Sequence, residues 1–179
     1  MVYEKVLEGK YVDLKACTED DAEFTLSLRM DPKLGKYFPK VEHSVNEQKV
    51  WIRSQREKDG DYFFVVWNKA GDRIGTIAIY NIENGEGEGG RIIIKSKDAF
   101  DVFEAQMLLD KFAFDILGLN LMKGFIFSDN KRAIRFSKQV SGKFFAPEID
   151  ENGRRIIRVE TTKEDFMLIY QKMSNLIYV

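Results

Sequence analysis

SKDAFDVFEAQ (residues 96–106) joins a short run of strand formers, RIIIK (91–95), to an apolar helical stretch that continues as MLLDKFAFDILG (107–118). A strand that hands over directly to a helix leaves unpaired backbone N–H groups and the positive end of the helix dipole at the junction, a favourable setting for a phosphate. Glycine at such a junction lets the anion come close to the backbone. This stretch holds no glycine, and two of its acids, Asp98 and Asp101, stand at the junction itself. Asp101 can be read without function, as an N-cap or first-turn acid that stabilises the helix by a fraction of a kcal/mol to about 1 kcal/mol. The same charge would oppose a phosphate.

Outward from this junction the chain alternates strands and helices. KYVDLKAC (10–17) alternates and is rich in strand formers. Thr18 with Asp21 then gives a capping-box start to a first helix ending near Met30. KLGKYFPKVEH (33–43) has neither period and reads as a loop. Ser44 with Glu47 starts a second helix that ends at Gly60. DYFFVVWNKAGDRIGTIAIYNIE (61–83) reads as two strands joined by NKAGD, and GEGEGG (85–90) as a separator before RIIIK. After the junction, Phe103, Met107, Leu108, Phe112, Phe114 and Leu117 follow helical spacing up to Gly118. LNLMKGFIFSDN (119–130) predicts a strand ending in cap residues, and KRAIRFSKQVSG (131–142) a short basic helix. FFAPEIDENGRRIIRVE (144–160) predicts a hairpin over DENG, and Thr162 with Asp165 opens a last helix. No repeat or composition break divides the sequence, so the expectation is one α/β domain over 1–179.

The bulk properties exclude more than they assign. A chain of 179 residues, 44% hydrophobic and 32% charged, is long enough for one core and short for two. With 28 basic against 29 acidic side chains, no overall charge draws it to nucleic acid or an anionic membrane. The start, MVYEKVLEGKYV, lacks a signal-peptide core, and the longest apolar run, YFFVVW (62–67), is too short to span a bilayer. Cys17 is the single cysteine, so no internal disulfide forms; a cytoplasmic location is expected. There is no Walker loop, no GxGxxG after a first strand, no GxSxG and no HExxH, and one His with one Cys supports no metal site. Cys17 ends a core strand and reads as an inert filler, which weighs against a Cys17/His43 nucleophile pair. His43 lies in a polar loop and reads as a surface residue.

Three segments carry a family resemblance: YVDLKACTEDDAEFTLSLRMDP, WIRSQREKDGDYFFVVWNKAGDRIGTIAIYNIE, and GGRIIIK followed by EAQMLLDKFAFDILGLNLMKGFIFSDNKRAIRF. In order and separation they resemble the GNAT superfamily of N-acetyltransferases, in particular the branch acting on ribosomal-protein N-termini and nucleotide-linked amino sugars. The resemblance implies a mixed, twisted sheet of about seven strands flanked by helices. Its fourth and fifth strands splay apart around acyl-coenzyme A, and the pyrophosphate sits at the start of the following helix. It implies acetyl-CoA as acyl donor and a small-molecule amine, or a protein N-terminus, as acceptor. No nucleic-acid or membrane partner is expected, and monomer and homodimer both stay open.

Residue by residue, the resemblance puts Glu104 and Ala105 on the family's Glu-Ala pair. That places Lys97 where Gln or Arg is usual, and bulky Phe100 and Val102 where two small residues belong; Asp98, Ala99 and Asp101 complete the junction. Asn130 and Ala133 match the motif after the fifth strand. Lys131 and Arg132, with Arg135, give that helix a basic face that could screen an adenosine phosphate or simply be solvated. Ser137 stands where many members have a tyrosine that protonates the departing thiolate. Loss of a phenol does not exclude transfer, because a thiolate whose acid has a pKa of about 8–9 is a tolerable leaving group. Glu88 falls near the family's acid and is the expected general base, with Glu86 and Tyr80 as alternates; solubilising a Gly-rich turn is the plainer role. Backbone N–H groups around Ile93, Ile94 and Lys95 would polarise the thioester carbonyl. Arg29, Tyr37, Phe38, His43, Trp51 and Tyr80 fall on segments that wrap the acceptor, although Phe24 and Leu28, one turn apart on the first helix, point to packing in the same region. The expected activity is acetyl transfer to a primary amine, for example on a nucleotide-linked sugar. The alternatives are a non-catalytic protein of the same fold and an acyltransferase using a carrier-protein-linked donor.

Overall fold

In the computed structural model, residues 2–40 and 42–178 are described. The chain runs β1 (Leu7–Glu8), β2 (Val12–Ala16), α1 (Ala22–Met30), α2 (Val45–Glu57), β3 (Tyr62–Asn68), β4 (Arg73–Glu83), β5 (Glu86–Ile94) and α3 (Ala99–Lys111). It continues through β6 (Leu121–Phe127), α4 (Lys131–Val140), β7 (Lys143–Phe144), β8 (Glu148–Ile149), β9 (Arg155–Thr162) and α5 (Lys163–Ile177). The three capping boxes are all formed: Thr18/Asp21 on a 3-10 turn leading into α1, Ser44/Glu47 on α2 and Thr162/Asp165 on α5. Each is a local exchange of hydrogen bonds over three residues, which needs no tertiary context.

One sheet of nine strands has the order β1-β2-β3-β4-β5-β6-β9-β7, with β8 also on β9. The expected seven become nine because β1 is added and the first arm of the last hairpin divides into β7 and β8, each of these being two residues long. Core lies on both faces. One cluster, including Leu14, Phe64, Ile77, Ile79, Leu109 and Phe112, packs beneath α3; a second, with Cys17, Ala22, Ile52, Phe63 and Ala78, packs beneath α1 and α2. Among the described residues no helix is long and apolar enough to cross a membrane.

Two sequence expectations change. GEGEGG is not a separator, because β5 runs through it from Glu86 and pairs with β4. The turn is Asn84-Gly85, at φ 52° and 79°, the left-handed pair that a two-residue type I′ hairpin requires. Glycine serves in this strand because its neighbours leave no room for a side chain; a Cβ at Gly87 would lie 2.8 Å from Leu119 Cδ1. Glu88 therefore stands inside β5 rather than before it. At the other junction Asp98 is the N-cap of α3, accepting from the Phe100 N–H at 2.8 Å, and Asp101 is the first-turn acid.

The parallel pairing of β5 with β6 positions the site. It covers Glu86–Glu88 against Leu121–Lys123, after which β5 continues to Ile94 and β6 to Phe127 without further register between them. These are the fourth and fifth strands of the sequence count, since β1 adds one ahead of them.

Candidate active site

The diverging strands enclose a cleft of about 800 Å³. Its strand walls are Glu88–Ile94 of β5 and Met122–Phe127 of β6. Ala99, Val102, Phe103, Gln106 and Asp110 line it from α3, and Asn130–Ala133, Phe136, Ser137 and Val140 from the start and inner face of α4. Lys33, Leu34, Tyr37 and Phe38 close it from the loop after α1. Tyr37 reaches across to donate its hydroxyl to the Asp129 carbonyl at 3.3 Å, and its ring stacks on Phe127 with centroids 5.8 Å apart.

Of the residues expected at the donor site, Ile93, Ile94, Ala99, Val102, Asn130, Lys131, Arg132 and Ala133 line the cleft; Lys95, Lys97, Asp98, Phe100 and Asp101 do not. Phe100 stacks on Tyr11 instead, with centroids 5.4 Å apart and planes 22° apart, so its bulk is accommodated outside the cleft. The acids of the junction are tied to the junction itself. Asp98 caps the Phe100 N–H, Ser96 Oγ accepts from the Asp98 N–H at 3.0 Å, and the Ser96 hydroxyl donates to Asp101 Oδ2 at 2.6 Å. A helix amide at the start of α3, where the resemblance implies a phosphate, thus already holds a carboxylate. Asn130 caps α4 by accepting from the Ala133 N–H at 3.1 Å, which explains that spacing locally. Lys95 is no carbonyl donor, because its N–H is spent on the Ile74 carbonyl at 2.7 Å. Since successive strand N–H groups face opposite edges, the Ile94 N–H turns toward the open, β6-facing edge.

On the acceptor side, Glu88 is held by Asn81 Nδ2 at 3.0 Å and by the Tyr80 hydroxyl. Burial, and then the Glu88 charge and hydrogen bond, push the Tyr80 phenol up, so it stays protonated and donates to Glu88. Gly90 makes room for this pair: a Cβ there would lie 2.2 Å from Tyr80 Oη. Gly90→Ala is expected to expel the Tyr80 ring and cost about 1–3 kcal/mol, the range for overpacking, read as a lower denaturant midpoint. Glu86, the alternate base, is ion-paired with Lys123 across the strand pair.

Arg29, His43 and Trp51 are not in the cleft wall. Arg29 donates to the Pro39 carbonyl at 2.9 Å and lies 5.2 Å over the Phe38 ring; burial, then Arg91, hold its guanidinium below the usual arginine range. His43 Nε2 is 2.6 Å from Gln48 Oε1, whose amide in turn donates to Thr25 Oγ1 at 3.0 Å, a clip between the loop, α2 and α1. It is part-buried rather than a free surface residue. Trp51 packs edge-on against Phe63 and lies under Arg91 at 5.3 Å. Cys17 is fully buried and its thiol is pushed up by burial, the state of a filler and not of a nucleophile.

Sequence reasoning missed three groups. Arg91, at φ 51°, forms a two-point ion pair with Asp61 at 2.5 and 2.9 Å, and its guanidinium lies 4.5 Å over the Tyr80 ring. Asp61 is 2% exposed. Breaking the pair would strand a buried charge, so it fixes the floor on which Tyr80 and Glu88 rest. The others are Gln106 and Asp110, whose i, i+4 spacing after Phe103 was legible as a helix face but not as a cleft wall.

The comparisons with known proteins agree with this architecture. The family model for the acetyltransferase (GNAT) domain matches residues 12–141. Solved structures superpose over nearly the full length. The apo form of FdhC, described as a nucleotide-linked sugar GNAT, has a TM-score of 0.81 at 22% identity and covers 98% of this chain and 97% of its own. A GCN5-related N-acetyltransferase from Brucella melitensis gives 0.76 at 21%, covering 94% and 83%. The spermidine N-acetyltransferase from Vibrio cholerae, solved with CoA and spermine, gives 0.75 at 19%, covering 89% and 99%. At these identities the likeness is one of fold. Among curated proteins none matches. With the domain model spanning most of the sequence and the strands parting where that fold requires, the chain belongs to the GNAT acetyltransferase family.

Proposed function

We propose that the protein is an N-acetyltransferase that moves the acetyl group of acetyl-CoA to a primary amine of a small molecule, an amino sugar linked to a nucleotide being the preferred acceptor, and that it works in the cytoplasm as a single catalytic domain. The observation that carries this reading is the cleft between β5 and β6, with Glu88 on its wall held by two neutral donors. Such a cleft supplies an apolar trough for a pantetheine arm, through Ile93, Ile94, Val102 and Phe103, and a basic rim at Lys131 and Arg132 for phosphate charge. Acetyl-CoA supplies an activated acyl group. An incoming ammonium, with a pKa of about 10, must lose a proton before it can attack, and Glu88 takes it. The Ile94 N–H is placed to donate to the thioester oxygen as negative charge develops there. Tyr37, Phe38 and Tyr80 offer aromatic faces to a base or sugar, with Lys33 as a cation for its phosphates.

One observation favours a second reading. The carboxylates engaged at the start of α3 leave less for a diphosphate than for the single phosphate of a carrier-linked donor. The thermal midpoint with and without millimolar acetyl-CoA separates the two. Ligand at about one hundred times its dissociation constant adds about 2.7 kcal/mol, an increase of roughly 5–10 °C for a chain of this size. That increase, followed by thiol release with amines, supports acetyl-CoA. An unchanged midpoint moves the assignment to a carrier-linked donor or a non-catalytic relative.

A further inference from the structure

Asp110 is a buried carboxyl in the cleft wall to which no role has been given. It is 5% exposed and accepts one hydrogen bond, from Gln106 Nε2 at 2.9 Å. Gln106 and Asp110 continue the face of α3 that begins at Phe103, and Phe103 meets Phe136 of α4 with ring centroids 5.2 Å apart. Ser137 follows Phe136 directly and lines the same cleft, at the position where the family resemblance expects a phenol. A carboxylate buried beside a single neutral donor is costly, so the site favours the protonated acid. Its pKa is accordingly pushed up to about 7 by burial, against the opposing pull of the Gln106 amide. The uncharged residues of the same cleft lining include Ser137 and Val140 from α4, Met122 from β6, and Val159 and Thr161 from β9. The charged groups elsewhere in the lining are Glu88, Arg91 and Lys123 on the strands, Lys33 and Asp129 on the loops and Lys131 and Arg132 on α4; none of them is a cause of the shift at Asp110.

We propose that Asp110 is the general acid of the reaction, protonating the thiolate that leaves as the amide forms, in place of the phenol that position 137 lacks. This rests on the acetyltransferase reading. The ammonium first loses one proton through Glu88 to solvent; the free amine nitrogen then bonds to the acyl carbon and gives a second proton to Glu88. The carbon–sulfur bond breaks with its electron pair on sulfur, and the Asp110 proton passes to sulfur, leaving a free thiol and a carboxylate. Asp110 is recharged from solvent as Glu88 releases its proton. An acid of pKa about 7 delivers downhill to a thiolate whose acid has a pKa of about 8–9, and it is half protonated near neutrality, the condition for efficient acid catalysis. The acid works only while protonated, so kcat falls as pH rises through its pKa.

Two readouts test this on the full chain. In carbon-13 spectra of aspartate-labelled protein, one carboxyl resonance is expected to titrate near pH 7 and to be missing in Asp110→Asn. Titration of every aspartate below about pH 5 would overturn the proposal. With acetyl-CoA and an amine that the wild type acetylates, Asp110→Asn is expected to lower kcat about 100-fold or more and to abolish the alkaline limb of its pH profile. Asp110→Glu should recover part of the rate. Should Asp110→Asn not fold, Gln106→Leu serves instead: losing the hydrogen bond that stabilises the carboxylate moves the alkaline limb to higher pH, and an unmoved limb counts against Asp110. Wild-type turnover with an unaltered Asp110→Asn profile sinks the acid alone, whereas a wild type inert toward acetyl-CoA sinks the acetyltransferase reading with it.

Discussion

Glu104→Ala is expected to cost the protein about 3–5 kcal/mol of stability, read as a fall in the urea midpoint at unchanged slope. Glu104 is fully buried on α3, and its two oxygens accept four hydrogen bonds. Oε1 takes the Lys10 N–H at 2.8 Å and the Tyr178 hydroxyl at 2.7 Å, while Oε2 takes the N–H groups of Tyr11 and Val12 at 2.6 and 2.8 Å. Truncation leaves these donors without acceptors and opens a void among them; each orphaned buried donor costs about 1–3 kcal/mol. The side chain joins the turn before β2, 94 residues away at Lys10, and the end of α5, 74 residues away at Tyr178, to α3, which no local contact replaces. Gly9 belongs to the same arrangement, since a Cβ there would lie 2.5 Å from Glu104 Oε2. Glu104→Gln keeps the shape but turns an N–H₂ toward donors, so it is expected to fall between the two. A loss under about 1 kcal/mol for Glu104→Ala would show that solvent reaches these groups.

Glu88→Gln is expected to lower kcat by about 100-fold to 10,000-fold, the span of a positioned general base, without moving the unfolding midpoint by more than about 1 kcal/mol. The amide oxygen can still accept from Asn81 and Tyr80, so the pocket keeps its shape while losing the group that takes the amine proton. A loss below tenfold would remove Glu88 from that role and leave a water chain to carry the proton.

How much of this was legible depended on the range of each signal. The caps at Ser44/Glu47 and Thr162/Asp165 could be read because donor and acceptor lie three residues apart. The strand through Gly87–Gly90 could not, because what selects glycine there is a neighbour far along the chain, Leu119 at one position and the Tyr80 ring at another. Asn84-Gly85 was a hairpin signal in plain view, obscured by the three glycines that follow it. The cleft residues Val102, Ser137 and Tyr37 came from the family resemblance, and the fold does bring them to one cavity. Trp51 and Arg29 were assigned to the acceptor because the resemblance puts their segments around it. In the fold they pack against the Arg91 guanidinium and the Phe38 ring, a use that aromatic and guanidinium groups share with ligand binding and that no spacing distinguishes. Arg91 with Asp61, thirty residues apart, had no sequence signature.

The short seam between β5 and β6 also bears on motion. To one side of it lie hairpins that can zip up from neighbours in sequence; to the other lie β6, β9 and α4. Three register pairs, the reach of Tyr37 to Asp129 and Phe127, and the packing of α3 against α4 and α5 join the two sides. Cooperative opening units tend to divide where few contacts cross, and a seam this narrow is such a line. A molecule lodged in the cleft touches both sides at once and would act as a clasp, suppressing amide exchange in β6 and α4, which it protects without belonging to either.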